Sequence, residues 1–177
     1  MTMPTSGHSR NRASGCDAHS MSRTDSASRV IQAEPGRVFA ALVEADAVAA
    51  WLPPNGMSGR FERFDARPRG SYRLVLTYDE GLRGSGKTTH DSDIVEARFV
   101  EISPNERIVQ EVDFVSDDPA FAGTMTITWE LSAASTGTRV EVKANDVPAG
   151  ISPEDHAAGL ESSLANLAGF VEGLRED

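Results

Sequence analysis

The stretch that decides the fold is GLRGSGKTT, residues 81–89. Gly81, Gly86, Lys87 and Thr88 fit the pattern G-x-x-x-x-G-K-[ST], the phosphate-binding loop of nucleotide hydrolases. A working loop of that kind joins a buried parallel strand to a helix whose N-terminus holds the phosphates. A strand does precede it: SYRLVLTY (71–78) alternates, with Tyr72, Leu74, Leu76 and Tyr78 on one face. On the other side stands IVEARFVEI (94–102), which leads through the turn SPNE into RIVQEVDF (107–114). Val95, Phe99 and Ile102 would also share a helix face, so periodicity alone leaves this segment open. Context decides. No alternation of strands and helices comes after the loop, and no apolar strand ending in Asp stands downstream to hold Mg²⁺. Asp79 and Glu80, directly before Gly81, would repel a polyphosphate. The stretch therefore reads as the glycine-rich loop of an antiparallel hairpin, not as a nucleotide site.

On both sides of the loop the strand signals continue. GRFERFD (59–65) alternates, with Phe61 and Phe64 spaced as at a bulge. TMTITWEL (124–131) puts Met125, Ile127, Trp129 and Leu131 on one face, and TRVEVKAND (138–146) puts Val140, Val142 and Ala144 inward. Strands in sequence joined by turns mean antiparallel hairpins. Before them, RVIQA (29–33) reads as a short strand. Glu34-Pro35 then opens a helix with Val38, Phe39, Leu42 and Val43 as its apolar stripe. Asp46 is placed to cap a second short helix that runs through Trp51 to Pro53-Pro54. The last segment, 152–174, is a long helix, with Ser152 as N-cap and Pro153 in the first turn. The order predicts an α+β helix-grip architecture. A curved antiparallel sheet of about seven strands wraps one long C-terminal helix, and two short helices close the mouth of the space between them.

Residues 1–28 are dominated by Ser, Arg, Thr and Gly and are expected to form a disordered tail, with residues 29–177 as the one folded domain. Met21 is a candidate start of translation on the same ground. Cys16, His8 and His19 lie in the tail, which does not preorganise metal ligands. The single cysteine allows no internal disulfide. A net charge of −10 argues against nucleic acid and anionic membrane as partners. No apolar run is long enough to span a bilayer and no secretory signal opens the chain, so a cytoplasmic protein is expected.

The run PGRVFAALVEADAVAAWLPP resembles the opening of the START-like, or SRPBCC, superfamily, through Pro35, Val38, Phe39, Ala41, Leu42, Trp51, Leu52 and Pro54. The similar branch is that of homologues of the heat-shock chaperone ATPase activator. Its middle motif is matched by Phe64, Asp65, Arg67, Pro68, Gly70, Tyr72 and Arg73, and a later one by Pro104, Glu106, Arg107, Ile108 and Phe114. His156, Gly159, Leu164 and Leu167 match the motif of its last helix, with Leu160 where the branch often has Trp. The resemblance covers about residues 29–174 and implies the helix-grip fold. It also implies three kinds of activity: binding of apolar ligands, cyclase-type chemistry, and a chaperone-linked role.

In such a fold Trp51, Met57, Tyr72, Leu74, Met125, Ile127, Trp129, Leu160 and Leu164 surround the space between sheet and helix, either as core or as pocket lining. His156 falls on the inner side of the last helix. It is read either as a ligand contact or acid/base, or as a hydrogen-bonded histidine of the first turn. Gln110 shares a face with Ile108, Val112 and Phe114 and is either a polar handle for a ligand or bonded to a neighbouring strand. Gly159 is expected to let the helix approach the sheet closely. An enzyme reading would need His156 with a carboxylate such as Asp113 or Glu111 beside it. His90, Asp91 and Asp93 spell a weak metal pattern that reads as a solvated loop. Asp117-Asp118-Pro119 reads as turn chemistry. No G-x-S-x-G elbow is present. The inward faces are short of titratable groups, which favours a binding protein for a small apolar or aromatic molecule over the cavity enzyme. No cofactor or metal is expected, and a homodimer and a chaperone partner are kept as further options.

Overall fold

The structure, a computed structural model, describes residues 23–54, 56–79, 92–114, 120 and 123–173. Its elements are β1 (Asp25–Ile31), α1 (Pro35–Val43), α2 (Ala45–Trp51), β2 (Met57–Phe64), β3 (Ser71–Tyr78), β4 (Ser92–Ser103), β5 (Arg107–Phe114), β6 (Gly123–Ala134), β7 (Gly137–Asn145) and α3 (Pro153–Gly173). The seven strands form one antiparallel sheet in the order β1-β7-β6-β5-β4-β3-β2. The residues of GLRGSGKTT lie outside the described set, but β3 before them and β4 after them pair antiparallel, Leu74 opposite Val95. A strand, not a helix, follows the glycines, which is why the phosphate-binding reading fails.

Alternation explains the layering. Tyr72 and Leu74 on β3, Ala97 and Phe99 on β4, Ile108 and Val112 on β5, Trp129 and Leu131 on β6, and Val140 and Val142 on β7 are buried together under Leu160, Leu164, Leu167, Ala168 and Val171 of α3. Phe61, Phe64, Tyr72 and Phe99 form an aromatic group with ring centroids 4.7–6.1 Å apart. The opposite face carries charge. Arg98 pairs with Glu111 and Asp113, each at 2.9 Å, Arg73 with Glu62 and Glu96, and Lys143 with Glu130. Bulges interrupt β2 between Phe61 and Arg63 and β4 between Phe99 and Glu101, adding local bend and twist to the sheet.

Pro35 opens α1, and Ser152 Oγ accepts the Asp155 N–H at 3.1 Å, as a cap of α3 should. Asp46 does not cap α2. The N-cap is Glu44, without a side-chain bond, and Asp46 sits inside the first turn. Gly59 is a glycine that a close approach requires. A side-chain carbon there would lie 2.7 Å from Pro53 and 3.2 Å from Leu74. Gly159, expected to play that part, meets nothing within 4 Å and faces solvent. The first strand begins at Asp25, four residues before the expected Arg29, because β7 supplies backbone partners for Asp25 through Ser28. The expected disordered tail of 1–28 therefore ends too late. Residues 1–22, with Cys16, His8, His19 and Met21, lie outside the described residues.

Candidate functional site

The first residue of β1 and the first turn of α3 meet across the chain. Cross-strand register puts Asp25 on the inner side of the sheet, in one row with Ala144, Ile127, Gln110 and Phe99. His156 Nδ1 lies 2.6 Å from Asp25 Oδ2. Arg23 Nε donates to the same carboxylate oxygen at 3.1 Å, and its Nη1 donates to the Ile151 carbonyl at 2.6 Å. Both Asp25 and His156 are nearly closed off, with side chains 12% and 13% exposed. Burial pushes the Asp25 carboxyl upward. Hydrogen bonds from His156 and Arg23 and the charge of Arg23 outweigh it, so the carboxyl is held below its ordinary value. The three side chains partner one another around the Asp25 carboxylate. His156 is thus a partnered first-turn histidine and Asp25 its partner.

The carboxylate beside His156 is Asp25 and neither of the two expected there. Glu111 and Asp113 were the carboxylates expected beside His156. Both are bonded to Arg98 on the outer face, and Asp113 also accepts from Thr124 at 2.5 Å. Ile108, Gln110 and Val112 face inward, so the alternating Glu111 and Asp113 cannot.

Further along the same inner row the polar chemistry is different. Gln110 is 8% exposed, and no side chain or backbone group among the described residues hydrogen-bonds its amide. It sits between Phe99 of β4 and Ile127 of β6 in register. Tyr72, 5% exposed on the same face, likewise has no described partner for its hydroxyl. Burial pushes that hydroxyl above the usual phenol range, so it remains a donor at neutral pH. Neither polar head is wholly enclosed. The single completely enclosed side-chain polar atom without a hydrogen bond among the described residues is Arg23 Nη2, 3.0 Å from Asp25 Oδ2.

The expected lining residues divide into three groups. Leu74, Trp129, Leu160 and Leu164 are packed in the main core. Trp129 meets Trp51 edge to face at 5.7 Å, and Trp51 Nε1 donates to the Ala41 carbonyl at 2.8 Å. Met125 belongs to a smaller cluster with Ala144 and Val147, and Ile127 packs against both clusters. Trp51 and Met57 line a groove of about 670 Å³ between α2, β2 and α3, which Ala165, Gly169 and Phe170 close on the helix side. Sequence reasoning missed Asp25 and Arg23 because they stand in a stretch whose one apolar residue, Ala27, sets no period.

No group of three or more His, Cys, Asp or Glu that could hold a metal occurs among the described residues. Asp93 accepts a bond from Tyr78 Oη at 3.2 Å, while His90, Asp91 and Asp117-Asp118-Pro119 lie outside the described residues. No described helix is long and apolar enough to cross a membrane.

A seven-stranded antiparallel sheet gripping one C-terminal helix, with two short helices after the first strand, defines a helix-grip protein of the START-like superfamily. Within it, the chain belongs to the family described as activator of Hsp90 ATPase homolog 1-like protein, whose model matches residues 32–172. A crystal structure of a Chromobacterium violaceum protein is similar at 31% identity and a TM-score of 0.74, covering 84% of this chain and 96% of that one. The solution structure of an AHSA1-like protein from Aeromonas hydrophila shares the fold at 19% identity and a TM-score of 0.66, covering 88% and 97%. A Rhodobacter sphaeroides protein does so at 18% identity and a TM-score of 0.69, covering 86% and 93%. No curated protein matches the chain.

Proposed function

We propose that this protein holds a small apolar or aromatic molecule between the sheet and α3, with the Gln110 amide as its polar contact. The observation that carries the reading is Gln110 itself, buried on the inner face with its amide unpartnered among the described residues. The residue is 8% exposed and its amide is not wholly enclosed, so that group stays open to a further hydrogen-bonding partner. Apolar walls with a few polar groups are the usual make-up of a small-molecule site. Action in the cytoplasm is part of the same proposal.

Native mass spectrometry of the purified protein tests this first, with a co-purified small molecule as the expected result. A titration with the neutral probe N-phenyl-1-naphthylamine tests it again, using Leu160→Trp. If a ligand space lies beneath Leu160, added bulk there should weaken the probe and change stability by less than ~1 kcal/mol. A destabilisation of ~1–3 kcal/mol, with no probe bound by the wild type, would mean a closed core. The family description supports a second reading, stimulation of a chaperone ATPase through the protein's surface. That reading would then take over, and its assay is ATP turnover by a purified Hsp90 with and without this chain.

A further inference from the structure

Resting on the binding reading above, we infer that the ligand is an uncharged aromatic molecule carrying a hydrogen-bonding group, held jointly by the Tyr72 hydroxyl and the Gln110 amide. The two side chains come from different strands but share one face. Tyr72 stands opposite Ala97, and Ala97 opposite Val112, two residues along β5 from Gln110. Phe99 links them: it is Gln110's neighbour in register, and its ring centroid lies 5.8 Å from that of Tyr72. Both are more than nine-tenths buried, and neither polar head has a described partner. A hydroxyl donates and accepts, and a primary amide does both, so the pair can serve a phenol, an aromatic alcohol or a ketone. Phe61, Phe64 and Phe99 pack with Tyr72 into one aromatic group, which an aromatic ligand would extend.

The charge of the ligand is set by the same face. In register, the charged positions on the inner side of the described strands are Asp25 and Arg29 on edge strand β1, and Asp93 at the end of β4. Asp25 is already held by Arg23 and His156, Asp93 accepts from Tyr78, and Arg29 is exposed. A charged ligand at Tyr72 and Gln110 would be buried without a counter-ion, which is strongly unfavourable. A hydrocarbon would leave both polar heads unpaired.

Three probes of one shape separate these cases: 2-naphthol, naphthalene and 2-naphthoate, titrated by calorimetry at neutral pH. The inference predicts that 2-naphthol binds about three- to tenfold more tightly than naphthalene, the range for one or two neutral hydrogen bonds, and that 2-naphthoate binds most weakly. Tyr72→Phe and Gln110→Leu should each remove part of the 2-naphthol preference and leave naphthalene unchanged, with melting curves run alongside to show that both variants fold. Equal binding of naphthalene and 2-naphthol would overturn the polar pair while the binding reading stands. Tightest binding of 2-naphthoate would overturn the uncharged class. Failure of all three probes would take down the binding reading and this inference with it.

Discussion

The two ends of one inner row of the sheet treat buried polarity in opposite ways. At the β1 end, Asp25 is met by His156 at 2.6 Å and by Arg23 at 3.0–3.1 Å, and Arg23 also reaches the Ile151 carbonyl. Three strands away, Gln110 is 8% exposed at the margin of the core, and no described group bonds its amide. A network that closes on itself fixes structure: here it pins the first turn of α3 to the edge strand. Under the proposed function, the group left open at Gln110 serves a ligand. At its other end α3 is pinned again, where Glu172 accepts the Gln32 N–H at 2.9 Å. The helix is thus fastened along β1, while its Ala165 and Gly169 side borders the groove facing α2 and β2.

The largest effect should come from removing the closed end. A chain beginning at Arg29 loses Arg23, Asp25 and four residues of β1 pairing with β7. Its melting temperature is expected to fall on the order of 5–10 °C, whereas a chain beginning at Met21 should melt with the full-length protein. Equal melting of both would show that the β1 end is not a structural clamp.

Next comes Asp25→Ala, which leaves His156 and the enclosed Arg23 Nη2 without their carboxylate. Urea denaturation should show a loss of about 2–3 kcal/mol, in the range for an abandoned, partly buried charged partner. A loss below ~0.5 kcal/mol would place the group among ordinary surface pairs.

The acid side of the stability curve sharpens the same point with a smaller effect. The Asp25 carboxyl is lower in the folded than in the unfolded chain, so its contribution is complete above the unfolded value of about 3.9. It is lost as pH falls through the folded value. Asp25→Asn should therefore flatten the loss of stability below about pH 4 relative to the wild type. Parallel curves would mean that Asp25 titrates alike folded and unfolded.

Much of this architecture was legible in the residues. SYRLVLTY and RIVQEVDF coincide with β3 and β5, because strict alternation with aromatic and branched residues admits one pleated reading. Ser152 and Pro153 marked the start of α3 because capping is local chemistry. The closed polar end was not legible. DSAS has only Ala27 as an apolar residue, too little to set a period, and its strand exists because β7 offers hydrogen bonds more than a hundred positions away. For the same reason Asp25 gave no hint of His156, its partner 131 residues later. The outward placing of Glu111 and Asp113 was written in the sequence: the parity that turns Gln110 inward turns them out. Gly159 misled because a missing side chain signals close approach only where another element passes, and none passes there.

The central claim is that Gln110 is buried for a ligand and not for the fold, and one paired measurement on Gln110→Leu tests it. Urea denaturation and titration with N-phenyl-1-naphthylamine are run on the variant and the wild type together. The account predicts that stability is unchanged or rises by up to ~1 kcal/mol, since an unpartnered amide gives way to an apolar group of similar size, while probe affinity falls severalfold. A loss of more than ~1 kcal/mol in Gln110→Leu, with a wild type that binds no probe, would contradict it and make Gln110 a structural glutamine.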